Sequence, residues 1–372
     1  MSKVLIGMSG GVDSTVTAHL LMQQGFEVEG LSFVLWEARN RAGLKTCCSL
    51  EVVNSASKAA EELGIRHISV DVRGEFIEKV IEPFVEAYTR GMTPNPCILC
   101  NKHIKFPFLL REAEKRGAEY IATGHYAKVI QSSEALDTPH ITRHSSLRKG
   151  IDPKKDQSYV LYALGQDILG RLMLPLGDYN KDDIRAIARS LNLAAADRPE
   201  SQEICFIEDK NYFRFIEKLS PAAGEPGPIL DTKGKVLGTH KGIYCYTIGQ
   251  RKGLGLSSLE PYYVIKIDTP RNALYVGSQE EAKIRSFFVE DVNWIVFPEE
   301  SLFRAAVKVR SMMEARPAAI EILNKGVRVI FDVPQWAPAP GQSAVFYNGD
   351  TVLGGGVIVE GLQLAGEFLI ST

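Results

Sequence analysis

The sequence predicts an α/β fold, a doubly wound and mostly parallel sheet, followed by a small central β-rich domain and a C-terminal β-barrel. Three observations carry this expectation. Apolar runs alternate with helical periodicity through the first 125 residues, a Gly-Gly turn joins the first apolar run to the first helical one, and from about residue 208 short period-2 runs take over. Strand, helix, strand in repetition implies right-handed crossovers and a sheet covered on both faces, with ligands bound outside the carboxyl ends of its strands.

Taken in order, Val4-Leu5-Ile6, Val28 to Leu35, Ile68-Ser69-Val70 and Tyr120-Ile121-Ala122 read as strands. Between them Ser14 to Gln24 and Leu50 to Leu63 read as helices, the second with Val53, Ala56, Ala60 and Leu63 on one face. Gly25 and Gly64 stand where a helix ends on a left-handed residue. Past residue 208, Pro221, Gly224, Pro226, Gly227 and Pro228 break the helical pattern. Val307-Lys308-Val309, Val327 to Phe331 and Ala344-Val345-Phe346 then alternate as strands, and Asn348-Gly349 signals a hairpin. These shifts suggest domains over residues 1–208, 209–282 and 283–372, in keeping with about 150 residues per domain.

Composition narrows the class of function. The chain of 372 residues is 45% hydrophobic and 24% charged, as globular proteins are. The run Phe33 to Trp36 is far short of a membrane span, and Val4 to Met8 passes straight into Ser9-Gly10-Gly11 without a signal-peptide cleavage site. The expected location is the cytoplasm, with no membrane partner. Lys plus Arg number 43 against 45 Asp plus Glu, so any nucleic-acid contact must come from local patches. Six cysteines are too sparse for a secreted disulfide scaffold and are expected to be buried, metal-bound or reactive.

Met8-Ser9-Gly10-Gly11-Val12-Asp13-Ser14 follows the first strand and is expected to open the helix with Ser14 as its N-cap. Glycines there let the backbone approach a phosphate that the helix N-terminus attracts. The loop lacks the Gly-Lys-Ser/Thr ending of a Walker A motif and the third glycine of a dinucleotide fingerprint. Gly124-His125 follows the strand at 120 to 123 on the same sheet edge. In Thr93-Pro94-Asn95-Pro96-Cys97-Ile98-Leu99-Cys100-Asn101-Lys102, two prolines stiffen the approach to a Cys-x-x-Cys, with a helix expected from about Asn101. A thiol at a helix start has a lowered pKa, which makes Cys100 a candidate nucleophile. Half a zinc site with His103 is the competing reading, but no second Cys-x-x-Cys follows. Cys205 stands among apolar neighbours, Cys47-Cys48 at a helix start and Cys245 in the strand-like Tyr244-Cys245-Tyr246. Read locally, all four are structural.

The word Ser-Gly-Gly-Val-Asp-Ser resembles the pyrophosphate loop of the ATP-pyrophosphatase family, whose members cleave ATP to AMP and pyrophosphate to adenylate a substrate oxygen. Further words stand in order: 95 to 102 above, Thr-Gly-His-Tyr at 123 to 126, Lys-Asp-Gln-Ser-Tyr at 155 to 159, Ile-Cys-Phe-Ile at 204 to 207, Gly-Gln-Arg-Lys-Gly-Leu-Gly at 249 to 255 and Gly-Gln-Ser-Ala-Val-Phe-Tyr at 341 to 347. Together they make the chain similar, over nearly its whole length, to the bacterial tRNA-specific 2-thiouridylase family.

The resemblance implies an adenine nucleotide alpha hydrolase-like domain and a tRNA sulfurtransferase. ATP adenylates the C2 oxygen of the wobble uridine, and sulfur displaces AMP to give 2-thiouridine. It implies a persulfide on Cys205 and a nucleophile at Cys100 that frees the sulfur and forms a disulfide with Cys205. Gly7, Met8, Ser9, Gly10, Gly11, Val12, Asp13, Ser14, Phe33 and Gly124 match ATP-binding positions, with Asp13 suited to Mg²⁺. Asn95, Pro96 and Cys97 match positions facing the target base, and His125, Lys155, Asp156, Gln157, Arg310, Ser311 and Gln342 match other tRNA contacts. The implied partners are tRNA, through its anticodon region, and a persulfide carrier protein or cysteine desulfurase.

Two positions depart from the family. Cys97 stands where many members of the resembled family have an aspartate, giving three cysteines (Cys97, Cys100, Cys205) that could hold a [4Fe-4S] cluster in a variant of the chemistry. Ser311 stands where an aromatic is expected. Basic residues from Arg143 to Lys155, and Arg251-Lys252, are candidate phosphate contacts. An adenylating amide or argininosuccinate-type ligase, which needs neither Cys100 nor Cys205, and a non-enzymatic RNA-binding module are the rival readings.

Overall fold

The computed structural model describes residues 1–36, 50–131, 145–194, 196, 204–207, 211–220, 224–359 and 363–364. The backbone divides into two compact units, Met1–Val80 with Pro96–Lys210 and Asp350–Val352, and Ile81–Asn95 with Asn211–Gly349 and Leu353–Thr372.

The first unit is built on a parallel sheet of β1 (Lys3–Gly7), β2 (Glu27–Val34), β3 (Arg66–Asp71), β4 (Tyr120–Ala122) and, after the antiparallel hairpin β5 (Ala127–Gln131) and β6 (Ser145–Lys149), β7 (Leu172–Met173). The strand order is β3-β2-β1-β4-β7. Val4, Leu5 and Ile6 have no exposed surface, as a strand covered on both faces requires. Helix α1 (Val12–Gln23) is buried around most of its circumference, and α2 (Leu50–Leu63) brings Ala56, Ala59 and Ala60 against Val4, Ile6 and Val28. Gly25 and Gly64 follow these helices at φ +86° and +70°, as their positions predicted. Arg148 and Lys149 lie on β6 rather than in a loop, because their run pairs with β5. Arg143, Cys47 and Cys48 fall outside the described residues.

The second unit contains a four-stranded sheet of Gly227–Leu230, Val236–His240, Tyr263–Asp268 and Ala273–Gly277. A six-stranded barrel follows, ordered Lys283–Trp294, Val327–Trp336, Arg316–Ile322, Leu302–Lys308, Ser343–Asn348 and Thr351–Ile358, and closed where the first strand pairs with the last. Closure removes the open edges an isolated sheet would expose. Phe287, Val307, Val329, Phe331 and Phe346 fill it. Gly349 turns the predicted hairpin at φ +58°.

Two expectations are corrected. Helical structure continues beyond residue 208 as Tyr212–Leu219, which buries Phe215 and Ile216 on one face. Tyr244-Cys245-Tyr246 is no strand: Ile243–Cys245 is a 3₁₀ turn entered through Gly242 at φ +124°. Among the described residues no helix is long and apolar enough to cross a membrane.

Replacing Phe346 with Ala removes a fully buried ring that packs 5.6 Å from Trp294. The substitution is expected to cost about 3–5 kcal/mol, read as an earlier midpoint in urea denaturation followed by tryptophan fluorescence.

Candidate functional site at the carboxyl edge of the parallel sheet

Residues 8–11 leave β1 and are pinned before they reach α1. The Met8 amide donates to Leu31 O at 2.7 Å, and Ser32 Oγ donates to Met8 O at 2.7 Å. Because the Ser32 proton is spent there, the 2.9 Å contact between Ser32 Oγ and His67 Nε2 is donated by the ring. Gly10 sits at φ +70°, and a Cβ on it would lie 2.6 Å from Ala56 N, so only glycine lets α2 approach this closely.

The helix opens at Val12 with Gly11 as its N-cap, not at Ser14. Extended backbone at Gly11 places the cap earlier in the chain than the Ser14 hydroxyl would mark it. Ser14 instead donates to Gly11 O at 3.2 Å and accepts the Ser9 amide at 3.2 Å. A Cβ on Gly11 would meet only Ser9 Oγ, at 3.4 Å, so that side of the loop is open. Gly124 closes the other side: its Cβ would lie 2.9 Å from Asp13 C and Ser14 N. Strand β4 ends at Ala122, as Tyr120-Ile121-Ala122 predicted. Gly7 ends β1 opposite Leu31, and half-buried Phe33 lies near the end of β2, opposite Val70. An open turn at the N-terminus of a 12-residue helix, beside the Ser9 and Ser14 hydroxyls, fits a phosphate.

Asp13 is the hub. Lys181 Nζ reaches its two oxygens at 2.7 and 2.9 Å, and the Tyr126 hydroxyl donates to Oδ1 at 2.6 Å. Lys181 is only 7% exposed and sits on the first turn of the helix Lys181–Ser190, 168 residues from its partner. No motif word contains it, so only the fold reveals it. Gln157 holds Tyr126 in place: its Oε1 accepts the Tyr126 amide at 2.9 Å and its own amide donates to Tyr126 O at 2.8 Å. Asp156 accepts from the amides of Gly150 and Ser158 at 3.2 and 3.1 Å and from Ser158 Oγ at 2.9 Å. The Asp156 and Gln157 side chains each have bonds within the unit, and half-buried Lys155 donates its amide to Asp152 O at 3.1 Å.

The cysteines depart from expectation. Pro96 sets the start of a helical turn Pro96–Cys100, which continues as the π-helical Asn101–Lys105. Cys100 therefore lies inside helical structure, not at its first residue, and is 4% exposed. Burial pushes its thiol up to about 12, which the Lys105 ammonium and backbone amide offset only in part and the Cys205 and Cys97 sulfurs reinforce. The predicted lowering is reversed because desolvation outweighs the helix end.

Cys97 is exposed and Cys205 half-buried, the latter beside buried Phe206, whose ring meets Phe76 at 5.7 Å. The charge of Cys205 is felt at both Cys97 and Cys100, so three thiols far apart in sequence share one neighbourhood. Among the described residues, however, no three His, Cys, Asp or Glu side chains form a group able to hold a metal. The cysteines as placed do not fit a [4Fe-4S] cluster. His125 contacts Thr123 Oγ1 through Nδ1 at 2.7 Å, and burial with the nearby Lys105 charge pushes its imidazole down to about 3, so it is neutral at pH 7. Lys105, five residues from Cys100 through a π turn, is the other group that spacing rules for an α-helix miss.

The remaining predicted residues are in the second unit, apart from the buried Pro96. Asn95 ends the segment Ile81–Asn95. Arg310 donates to Ile248 O and Ala337 O at 2.8 and 2.9 Å, Ser311 is exposed, and Gln342 Nε2 donates to Thr93 O at 2.7 Å. Exposed Arg251 lines an open cavity of about 310 Å³ with Leu254, Leu259 and Tyr262.

Three family models match the chain in succession: the tRNA methyl transferase HUP domain over residues 2–209, the tRNA methyl transferase PRC-barrel domain over 214–278 and the aminomethyltransferase beta-barrel domain over 284–358. The tRNA-specific 2-thiouridylase MnmA of Carboxydothermus hydrogenoformans is 45% identical over 361 residues, 96% of this chain and 97% of that protein. The protein of the same name from Pelotomaculum thermopropionicum is 46% identical over 363 residues, 96% and 97% of the two chains. That from Clostridioides difficile is 43% identical over 363 residues, 97% and 99%.

Lys181→Met leaves Asp13 without its cation and is expected to lower stability by about 1–3 kcal/mol, less than for a fully buried pair because Asp13 is partly exposed. An unchanged urea midpoint would remove the hub role. Iodoacetamide mapping of the free protein should label Cys97 well before Cys100 at pH 8, with Cys100 labelling still rising at pH 10, since a raised pKa withholds the thiolate until higher pH.

Proposed function

The chain belongs to the tRNA-specific 2-thiouridylase family, and from that membership we propose how its own residues carry out the reaction. It is a tRNA sulfurtransferase that uses ATP and makes 2-thiouridine. In the proposed sequence the open turn at Gly11 and the hydroxyls of Ser9 and Ser14 receive the phosphates of ATP, with Gly7 to Ser14, Phe33 and Gly124 forming the nucleotide site. Asp13 would take part in holding Mg²⁺ against those phosphates, which requires it to exchange Lys181.

The C2 oxygen of the wobble uridine attacks the α-phosphate and expels pyrophosphate, which turns an oxygen that does not leave into AMP, which does. The sulfur is supplied as a persulfide on Cys205, delivered by a carrier protein or cysteine desulfurase. The Cys100 thiolate attacks the Cys205 sulfur, a Cys100–Cys205 disulfide forms, and the released hydrosulfide displaces AMP at C2. A thiol reductant then restores both cysteines. Asn95, Pro96 and Cys97 would face the base, and His125, uncharged, would offer it a hydrogen bond. Lys155, Asp156, Gln157, Arg310, Ser311 and Gln342 complete the proposed tRNA site. We further propose three domains over residues 1–208, 209–282 and 283–372, and a cytoplasmic location.

The observation that carries this reading is the shared neighbourhood of Cys100 and Cys205, about half the unit apart in sequence yet close enough that the charge of Cys205 raises the pKa of Cys100. A ligase of the same loop family has no use for such a pair. Cys100→Ser and Cys205→Ser are each expected to lower thio-nucleoside formation by at least about a hundredfold while tRNA-dependent pyrophosphate release persists. Nucleoside mass spectrometry reads the first quantity and a pyrophosphate assay the second. Undiminished thiolation by either variant would overturn the assignment of that cysteine.

A further inference from the structure

The segment that leads into the Cys-x-x-Cys is gripped residue by residue within the second unit. Thr269 Oγ1 donates to Arg90 O at 2.9 Å. Gly91, at φ +70°, passes so close to Ile267 that a Cβ would lie 2.6 Å from its Cγ2. Both backbone groups of Thr93 are then taken by one short loop: its amide donates to Pro340 O at 2.7 Å and its carbonyl accepts Gln342 Nε2 at 2.7 Å. The Thr93 hydroxyl adds a contact to Thr247 Oγ1 at 3.2 Å. Gly341, at φ +88°, lies so close that a Cβ would stand 2.9 Å from Thr93 N.

Beyond Thr93 the chain is stiff. Pro94 and Pro96 fix their own φ and restrict Thr93 and Asn95 before them, so a displacement at Thr93 is passed on to Asn95, Pro96 and Cys97 with little slack. Gln342 is itself firmly mounted, with its amide on Ala339 O at 3.1 Å and its carbonyl accepting the Ile358 amide at 2.8 Å. A carbonyl can only accept, so the NH₂ end of the Gln342 side chain must face Thr93. The Oε1 end then has no hydrogen bond among the described residues and can accept from a ribose hydroxyl or a base N–H.

We propose that Gln342 is a two-ended positioning residue, whose NH₂ group sets the placement of the base-facing segment Asn95–Cys97 through Thr93 while its oxygen takes a donor from the RNA. This rests on the thiolation reading for the identity of the RNA and adds that the same side chain fixes the arm leading to Cys97. Contact with tRNA at Gln342 is thereby coupled to the placement of the segment that carries Asn95.

Gly341→Ala pushes on Thr93 without altering the Gln342 side chain. In hydrogen exchange followed by mass spectrometry, it is expected to speed exchange in residues 90–97 while the barrel peptides stay as protected as in the wild type. It should also lower kcat at saturating tRNA by about tenfold to a hundredfold, since small misplacements of reacting groups cost that much. Its Kd for tRNA should stay within about threefold of the wild-type value, because the RNA-facing oxygen is retained. Unchanged exchange over 90–97, or full turnover restored by saturating tRNA, would overturn the proposal.

Should Gly341→Ala unfold the barrel, Gln342→Met decides. A mere RNA contact predicts normal kcat at saturating tRNA, whereas the two-ended role predicts a kcat that saturation does not restore. Wild-type enzyme that forms no thio-nucleoside would reject the reaction itself, and the exchange experiment, which needs no turnover, would still judge the grip on Thr93.

Discussion

One carboxylate organises the catalytic unit. Asp13, in the first turn of α1, receives the ammonium of Lys181 and the hydroxyl of Tyr126. Two segments remote in sequence are thereby fixed to the loop that follows β1. Tyr126 is held in turn by two hydrogen bonds to Gln157, so the Lys-Asp-Gln word and the Gly-Gly loop are parts of one scaffold rather than separate contacts. The arrangement costs little while Asp13 is paired, since a partly buried charge is tolerated only beside its opposite. It also explains why the loop can be open at Gly11 and still be rigid: Gly10 and Gly124 lie where any Cβ would strike backbone, and the hydroxyls of Ser9 and Ser14 bond inward.

Burial governs the thiol proposed as the nucleophile. A thiol whose pKa is pushed up to about 12 is ionised to only about one part in a hundred thousand at pH 7. In the free chain Cys100 is accordingly shielded from stray electrophiles, and the Lys105 amide and ammonium are the groups already in place to favour its thiolate. The π turn matters here because it sets Lys105 five residues on while the α-helical segments continue on either side. Cys97 is the exposed member of the trio and adds to the rise at Cys100 rather than relieving it.

Much of this was legible in the residues. Val4-Leu5-Ile6 announces a strand buried on both faces, and Gly25 and Gly64 mark helix ends because only glycine takes a left-handed backbone cheaply. The alternation in Val327 to Phe331 announces the barrel because one face must meet its core. What local patterns could not give depends on the third dimension. Lys181 belongs to no motif, and its importance comes only from burial beside Asp13. Ser14 looked like a cap because hydroxyls usually are, whereas extended backbone at Gly11 let the helix begin earlier. The lowered pKa expected for Cys100 followed from the helix dipole alone, and the neglected desolvation proved larger. Nothing in the spacing of residues 81–95 says that they pack with the β-rich unit while the helix they lead into packs with the sheet.

The central claim is that the uridine oxygen leaves as part of AMP. A tRNA substrate carrying a heavy-oxygen label at C2 of the target uridine tests it directly, with the AMP product examined by mass spectrometry after a single turnover with ATP and a sulfur donor. Label is expected in the AMP phosphate in proportion to the 2-thiouridine formed. Unlabelled AMP alongside newly formed 2-thiouridine would contradict it.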